Sequence, residues 1–122
     1  MGTHDRLHRL FNEGFCAAHV ASPLPSFDGT RDAATVRGLM DATEAKVAGI
    51  RTGGLVSGWV QRDDLESGRA QSCARLFGAG QVVDGERSLR ATVRALDEHE
   101  PLFVTGMGQV IGFVTRDDLH LP

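Results

Sequence analysis

The alternation of apolar and polar residues predicts the same order of elements twice along the chain. In each copy a short extended segment precedes an amphipathic helix, which is followed by two strands joined by a glycine-containing turn. A pair of aspartates then opens a further helix, because carboxylates are favoured at the positive end of a helix dipole. In the first copy the elements are residues 24–27, a helix face of Val36, Leu39, Met40 and Thr43, strands 46–51 and 55–61, and Asp63-Asp64. In the second they are residues 81–83, a helix face of Leu89, Val93 and Leu96, strands 102–105 and 109–115, and Asp117-Asp118.

Direct repetition of sequence supports this pattern. Residues 58–65, Gly-Trp-Val-Gln-Arg-Asp-Asp-Leu, return 54 positions later as Gly-Phe-Val-Thr-Arg-Asp-Asp-Leu, with six of eight positions identical. Residues 34–39, Ala-Thr-Val-Arg-Gly-Leu, return 57 positions later as Ala-Thr-Val-Arg-Ala-Leu. Two ordered matches at nearly one offset indicate an internal duplication. Because strands and helices interleave in both copies, the predicted fold class is α/β, with helices covering each sheet.

Two segments fall outside the repeat. Residues 3–21 predict an amphipathic helix, since apolar residues recur there at helical spacing until the prolines that follow Ser22 end it. After Asp64 a long helix is predicted through Leu65, Cys73, Leu76 and Phe77, whereas the second copy stops at Pro122 soon after its helix begins. The predicted organisation is therefore an N-terminal helix at 1–22, a first repeat at 23–80 and a second, truncated repeat at 81–122. We expect an excerpt of a longer protein.

Composition and net charge limit the kinds of partner that we expect for this chain. The chain has 122 residues, 41% of them hydrophobic and 24% charged, as in an ordinary globular domain. Its net charge of −3 provides no basic field for nucleic acid or an anionic membrane. No apolar run approaches the roughly 18 residues of a membrane span, and no signal-peptide core follows the start, so a cytoplasmic location is expected. Two distant cysteines make neither a disulfide framework nor a four-ligand zinc site.

The duplicated order, together with the segment Gly-hydrophobic-Val-Thr-x-x-Asp-Leu, resembles the CBS domain pair, also called a Bateman module. Residues 112–119 match that segment fully, whereas residues 58–65 carry Gln61 where Ser or Thr is usual. The resemblance covers roughly residues 24–122. It implies two repeats packed about a pseudo-two-fold axis, with clefts between them that bind AMP, ADP, ATP or S-adenosylmethionine in many members.

The resemblance also implies site residues. Thr115 with Asp118 forms one candidate site, and Gln61 with Asp64 forms the other; the aspartate holds the ribose hydroxyls. The resemblance further implies that the segment before the first helix of each repeat makes main-chain contacts to adenine. These contacts would lie near Val83 in the second repeat and, more loosely, near Phe27 in the first. From the residues themselves, Arg62 and Arg116 beside the acids are suited to bidentate phosphate pairing. The simpler interpretation makes Asp64 and Asp118 helix caps and the two arginines solvated surface residues.

The predicted function is therefore a non-catalytic, ligand-sensing regulatory module that needs no cofactor. The resemblance implies a homodimer that regulates an attached or separate effector domain. The alternative is a structural dimerisation module with vestigial, ligand-free clefts. A third hypothesis, a thiol or metal enzyme, rests on Cys16 with His19 or on His4 with His8.

Overall fold

The computed structural model describes residues 14–119, which form four helices, seven strands and two single turns of 3-10 helix. The helices are α1 (Ala17–Val20), α2 (Ala33–Ala42), α3 (Ala70–Cys73) and α4 (Leu89–Leu96). The strands are β1 (Ser22–Pro23), β2 (Ser26–Asp28), β3 (Val47–Thr52), β4 (Leu55–Gln61), β5 (Val82–Asp84), β6 (Leu102–Gly106) and β7 (Gln109–Val114). The 3-10 turns are Arg62–Asp64 and Asp117–Leu119. The predicted α/β class is confirmed.

The chain divides into two compact units. The central unit is Leu24–Phe77, and the split unit joins Met1–Pro23 to Gly78–Pro122. The described part of the N-terminal segment, residues 14–22, lies in the split unit. Across residues 14–119, no helix has the length and apolarity to cross a bilayer.

The central unit contains a sheet in the order β2-β3-β4, in which β2 runs parallel and β4 antiparallel to β3. Helix α2 covers this sheet and buries Ala33, Val36 and Met40. Leu39, predicted on the same face, is 38% exposed, because 100° per residue places it at the margin of the face that those three define. Thr43 follows the last helical residue and is also exposed; its hydroxyl donates to the Leu39 carbonyl oxygen at 3.0 Å.

The split unit contains a sheet in the order β1-β7-β6-β5, with β5 parallel to β6 and the other pairs antiparallel. Helix α4 buries Leu89, Thr92 and Leu96 over it. Ser88, of a residue type favoured at helix N-termini, caps this helix, since its side chain accepts a hydrogen bond from the Ala91 N–H at 3.2 Å. Asp32 holds the same position before α2 without such a bond.

Both glycine-containing turns are hairpin turns, as predicted. Gly53 and Gly54 have φ of 61° and 86°, and Met107 and Gly108 have φ of 53° and 80°. Two successive positive φ values are typical of a two-residue turn whose twist matches that of the flanking strands. The residues that follow β4 and β7 therefore lie at the ends of their respective sheets.

The predicted continuous helix over 3–21 is wrong in its described part. Residues 1–13 lie outside the described residues, and the chain is not helical at 14–16. Gly14 has φ of +76°, and Cys16 is extended and pairs with Ser88, so the helix begins only at Ala17. Tertiary pairing has overridden the helical periodicity here.

The long helix predicted after Asp64 is also wrong. The chain makes one 3-10 turn, buries Leu65, passes Gly68 at a φ of +77° and forms only the four residues of α3. It is extended again at Arg75, whose N–H and C=O exchange hydrogen bonds of 2.8 and 3.0 Å with Trp59. Leu76, predicted to lie within that helix, is 85% exposed. Pairing with the strand edge at Trp59 therefore determines the conformation of this segment.

The two short helices are equivalent, one in each unit. The Ala17 N–H donates to the Arg87 carbonyl oxygen at 2.8 Å, and the Ala70 N–H donates to that of Arg31 at 2.8 Å. The residues that follow then pair with the edge of the hairpin: Ser22 lies opposite Phe113, and Arg75 lies opposite Trp59. We call residues 17–23 and 70–75 the edge segments of the split and central units.

Candidate ligand-binding site

The candidate site in the split unit is the turn that follows β7. The Thr115 N–H donates to Asp118 Oδ2 at 2.8 Å, and the Thr115 hydroxyl lies 3.1 Å from the same oxygen. Oδ2 is therefore held by the turn itself. Asp118 Oδ1 is contacted within residues 14–119 only by the Ser22 hydroxyl, at 3.5 Å, the limit of a hydrogen bond. The turn presents a partly buried carboxylate with one oxygen weakly engaged.

A small cavity adjoins this turn. It has a volume of about 180 Å³ and is lined by Ala18, Ala21, Ser22, Pro23, Val104, Ile111 and Gly112. Ser22 connects the cavity to Asp118 because it both lines the cavity and contacts the carboxylate. Pockets for drug-sized ligands measure roughly 300–1,000 Å³, so the cavity accommodates only part of such a molecule.

The equivalent turn of the central unit is closed by an ion pair. Arg75 donates from Nε to Asp64 Oδ2 and from Nη2 to Asp64 Oδ1, both at 2.8 Å. The Gln61 N–H donates to Oδ2 at 2.9 Å. The guanidinium of Arg75, and secondarily the Gln61 N–H, hold the pKa of the Asp64 carboxyl below its ordinary value. Both oxygens of this carboxylate are thus engaged by donors, and the Asp64 side chain is only 18% exposed.

The two arginines predicted beside the acids are in ion pairs within their own units. Arg62 pairs with Asp41 at the end of α2 and with Asp63, and its guanidinium lowers the pKa of the Asp41 carboxyl. Arg116 pairs through Nη2 with Asp97 Oδ1 at 3.0 Å, just after α4. The repeat therefore preserves a contact between each acidic turn and the end of the preceding helix. This contact gives both arginines a structural role whether or not they meet phosphate.

The predicted adenine-contacting residues lie away from the aspartates of their own units. Val83 is buried in β5, at the sheet edge that is two strands from β7. Phe27 lies in β2, two strands from β4. At about 4.8 Å per strand these positions are separated by about 10 Å. Neither sheet by itself brings the predicted base contact and the predicted sugar contact together.

Ser22 and Arg75, the edge-segment residues that contact the two aspartates, were not among the predicted site residues. Both follow an alanine at the end of a short helix: Ala17 and Ala21 return 53 positions later as Ala70 and Ala74. That offset is close to the 54 and 57 positions that separate the other repeated segments, so this repetition can be recognised in the sequence. It was weak because only two small residues carry it.

The thiol and the imidazole on which the thiol-enzyme hypothesis rests lie close together. Cys16 Sγ lies 3.3 Å from His19 Nδ1, which also accepts the Cys16 N–H at 3.0 Å. Cys16 precedes α1 rather than lying on it, contrary to the prediction. Among the residues that the structure describes, no group of three His, Cys, Asp or Glu side chains is placed to hold a metal ion. His4 and His8 lie outside those residues.

Comparison with solved structures identifies the architecture. CBSX2 from Arabidopsis thaliana, a CBS-pair protein, matches with a TM-score of 0.73 at 16% identity, over 88% of this chain and 92% of that chain. CBSX2 in complex with AMP matches with a TM-score of 0.72 at 16% identity, over 87% and 93%. This chain has the fold of a CBS-domain pair.

A third neighbour extends the comparison. The CBS domain of the bacterial CNNM/CorC family Mg²⁺ transporter matches this chain with a TM-score of 0.75 at 12% identity, over 98% of this chain and 82% of that chain. No protein-family profile matches the sequence, and no curated protein matches it either. At these identities the likeness establishes the fold, and the chemistry of the site rests on this chain's own residues.

Proposed function

We propose that this CBS pair is a regulatory module that binds an adenine nucleotide or an adenosyl compound through the acidic turn of the split unit. The observation that carries the proposal is the state of Asp118. Its Oδ2 is oriented by Thr115, while its Oδ1 has only the long contact to Ser22 among the residues at 14–119. The complex of CBSX2 with AMP, a protein of the same fold, supports this ligand class.

The chemistry of the turn suits a ribose. A carboxylate accepts hydrogen bonds through two oxygens, and charge-assisted bonds to it are stronger than bonds between neutral groups. Vicinal hydroxyls donate such a pair of bonds. Oδ1 gains a full hydrogen bond in place of the 3.5 Å contact with Ser22. The Thr115 N–H and hydroxyl together use both lone pairs of Oδ2, so the second ribose hydroxyl takes the place of the Thr115 hydroxyl there. The cavity beside Ser22 provides apolar surface for another part of the ligand.

Binding has a regulatory consequence only if the ligand prefers one arrangement of the module. A ligand shifts an equilibrium by no more than its difference in affinity for the two states. We infer that an attached or separate effector domain responds to that shift. The cytoplasmic location expected from the sequence belongs to the same proposal.

The test is titration calorimetry with AMP, ADP, ATP and S-adenosylmethionine, together with thermal unfolding. A ligand at 100 times its dissociation constant adds about 2.7 kcal/mol to the free energy of unfolding. Asp118→Asn should abolish most of this gain. Asp117→Asn is the matched control, because Asp117 is its exposed neighbour and loses the same charge.

The proposal fails if none of the four compounds binds. It also fails in its location if Asp118→Asn binds as tightly as the unchanged chain. Thermal unfolding of the ligand-free variants separates lost binding from lost folding. Asparagine retains the capping ability of the side chain, so Asp118→Asn should lose little folding stability.

A second candidate function is a dimerisation module with ligand-free clefts. The closure of Asp64 by Arg75 favours it, because one of the two carboxylates is already occupied. Exposed apolar side chains on both hairpins, Leu55, Met107 and Ile111, favour it as well. Light scattering that shows a dimer without any ligand, combined with no response to the four compounds, would support it. A monomer would contradict it.

A further inference from the structure

Arg75 and Ser22 occupy the same place in the two repeats. Each lies in an edge segment, directly opposite the aromatic residue of the second hairpin strand, Trp59 or Phe113. Each directs its side chain to the aspartate in the 3-10 turn that comes directly after that strand. This aspartate is Asp64 for Arg75 and Asp118 for Ser22. The two side chains differ in length and in charge, and only one of them carries a guanidinium fork.

The backbone position of Arg75 is fixed by the hairpin edge. Its N–H and carbonyl oxygen both bond to Trp59, and Gly58 allows this approach because a Cβ there would lie 2.7 Å from the Arg75 carbonyl oxygen. In the split unit Gly112 serves the same purpose for Ser22, where a Cβ would lie 2.9 Å from its carbonyl oxygen. The two edge residues are therefore held at matching points.

The Arg75 side chain is also fixed at its far end. Its guanidinium carbon lies 5.1 Å from the centre of the Trp59 ring, within the range of a cation–π contact. Its two bonds to Asp64 are equal in length and engage both oxygens, the bidentate arrangement in which Arg recognises a carboxylate most strongly. The serine hydroxyl of the split unit makes no comparable interaction within residues 14–119.

We propose that Arg75 is a built-in occupant of the Asp64 position, where it takes both carboxylate oxygens that a ribose diol would otherwise use. This inference rests on the proposed function and deepens it. The chain then binds one nucleotide, at Asp118, and Arg75 excludes a second at Asp64. The identity of the residue after the edge-segment alanine, Ser or Arg, decides which repeat accepts a ligand.

The test exchanges the two edge residues and counts ligands by titration calorimetry with AMP, ADP, ATP and S-adenosylmethionine. The unchanged chain should bind one ligand, and Arg75→Ser should bind two. Adding Asp64→Asn to Arg75→Ser should return the count to one. The reverse exchange, Ser22→Arg, should remove binding at Asp118.

Matched variants separate the occupation of Asp64 from effects of charge and folding. Arg69→Ser removes the same charge from the same stretch of chain, and Arg69 makes no ion pair within residues 14–119, so its ligand count should stay at one. Arg75→Gln keeps part of the side chain beside Trp59 and should also admit a second ligand. It replaces Arg75→Ser if that variant does not fold.

The outcomes distinguish this inference from the proposed function. A count of one in both the unchanged chain and Arg75→Ser overturns the inference and leaves binding at Asp118 intact. No binding by the unchanged chain with one ligand bound by Arg75→Ser supports the inference and overturns binding at Asp118. No binding by either chain overturns both.

Discussion

The two units build the same surroundings for their hairpins from opposite directions along the chain. In the central unit the edge segment follows the hairpin, whereas in the split unit it precedes the hairpin and lies in the N-terminal part of the unit. The hydrogen bonds that fix the segments correspond pair by pair, including those from Ala18 and Gln71 to the turn glycines Gly85 and Gly29, both at 2.9 Å. The edge of a hairpin can pair with a backbone segment of suitable conformation whether that segment comes before or after the hairpin in the sequence.

The difference lies in what each segment places beside the aspartate. The central unit places a long cation there and closes the carboxylate. The split unit places a short hydroxyl there and leaves Oδ1 weakly engaged. A duplicated fold can thus carry one carboxylate suited to a ligand and one that is satisfied internally. The turns themselves, with nearly identical sequences, do not reveal this difference.

The close approach at the hairpin edges should be the costliest feature to disturb. Gly58→Ala and Gly112→Ala each insert a Cβ less than 3 Å from a carbonyl oxygen of the edge segment. We expect each to lower the free energy of unfolding by about 1–3 kcal/mol, as overpacking does, measured by urea denaturation. Equal losses would sharpen the equivalence of the two units.

A glycine without such a neighbour is the control. A Cβ added at Gly38, in α2, would meet no atom within 4 Å outside its own helix backbone, so Gly38→Ala should raise the stability by about 0.5–1 kcal/mol. If Gly112→Ala were as harmless as this control, the edge segment of the split unit would not press on its hairpin as that of the central unit does.

The helix caps should differ between the units by a smaller amount. Ser88→Ala removes the bond to the Ala91 N–H and should cost about 1 kcal/mol. Asp32→Ala removes no side-chain cap bond, so its cost should be smaller. Urea denaturation of the two variants checks the order. A larger loss from Asp32→Ala would show that the charge at the start of α2 matters more than the bonded cap of α4.

The ion pair at Asp64 should have the smallest effect and a distinctive pH dependence. Because the folded-state pKa of Asp64 is lowered, the pair contributes stability above the unfolded-state pKa of about 3.9, and loses it as the pH falls through the folded-state pKa. Arg75 is 48% exposed, so Arg75→Gln should cost less than about 1 kcal/mol at pH 7.

Urea denaturation between about pH 7 and about pH 2 checks this window. The stability difference between the unchanged chain and Arg75→Gln should vanish at the acid end. Arg69→Ser should show no difference of this form. A gap that persisted at low pH would mean that Arg75 acts through its packing on Trp59 rather than through the charge of Asp64.

Local pattern was sufficient for much of the fold. The strands of both hairpins, the positive-φ turns, the two long helices and the Ser88 cap all follow from periodicity and turn chemistry. The two helix predictions that failed, the described part of the one over 3–21 and the one after Asp64, overlap the edge segments, where apolar spacing was genuine but short. There the exposed edge of a hairpin offered hydrogen bonds to an extended chain, and a four-residue helix is too short to resist that competition.

The sequence by itself determined the duplication, the order of elements within each copy and the two acidic turns, because these depend on contacts between near neighbours. Only the tertiary structure decided that residues 17–23 complete the later repeat and that Arg75, not Ser22, stands against an aspartate as a bidentate partner. Those pairings join residues that are distant in sequence or that lie past a segment without periodicity. They are selected by the fit of one backbone to a sheet edge, a property that no local pattern encodes.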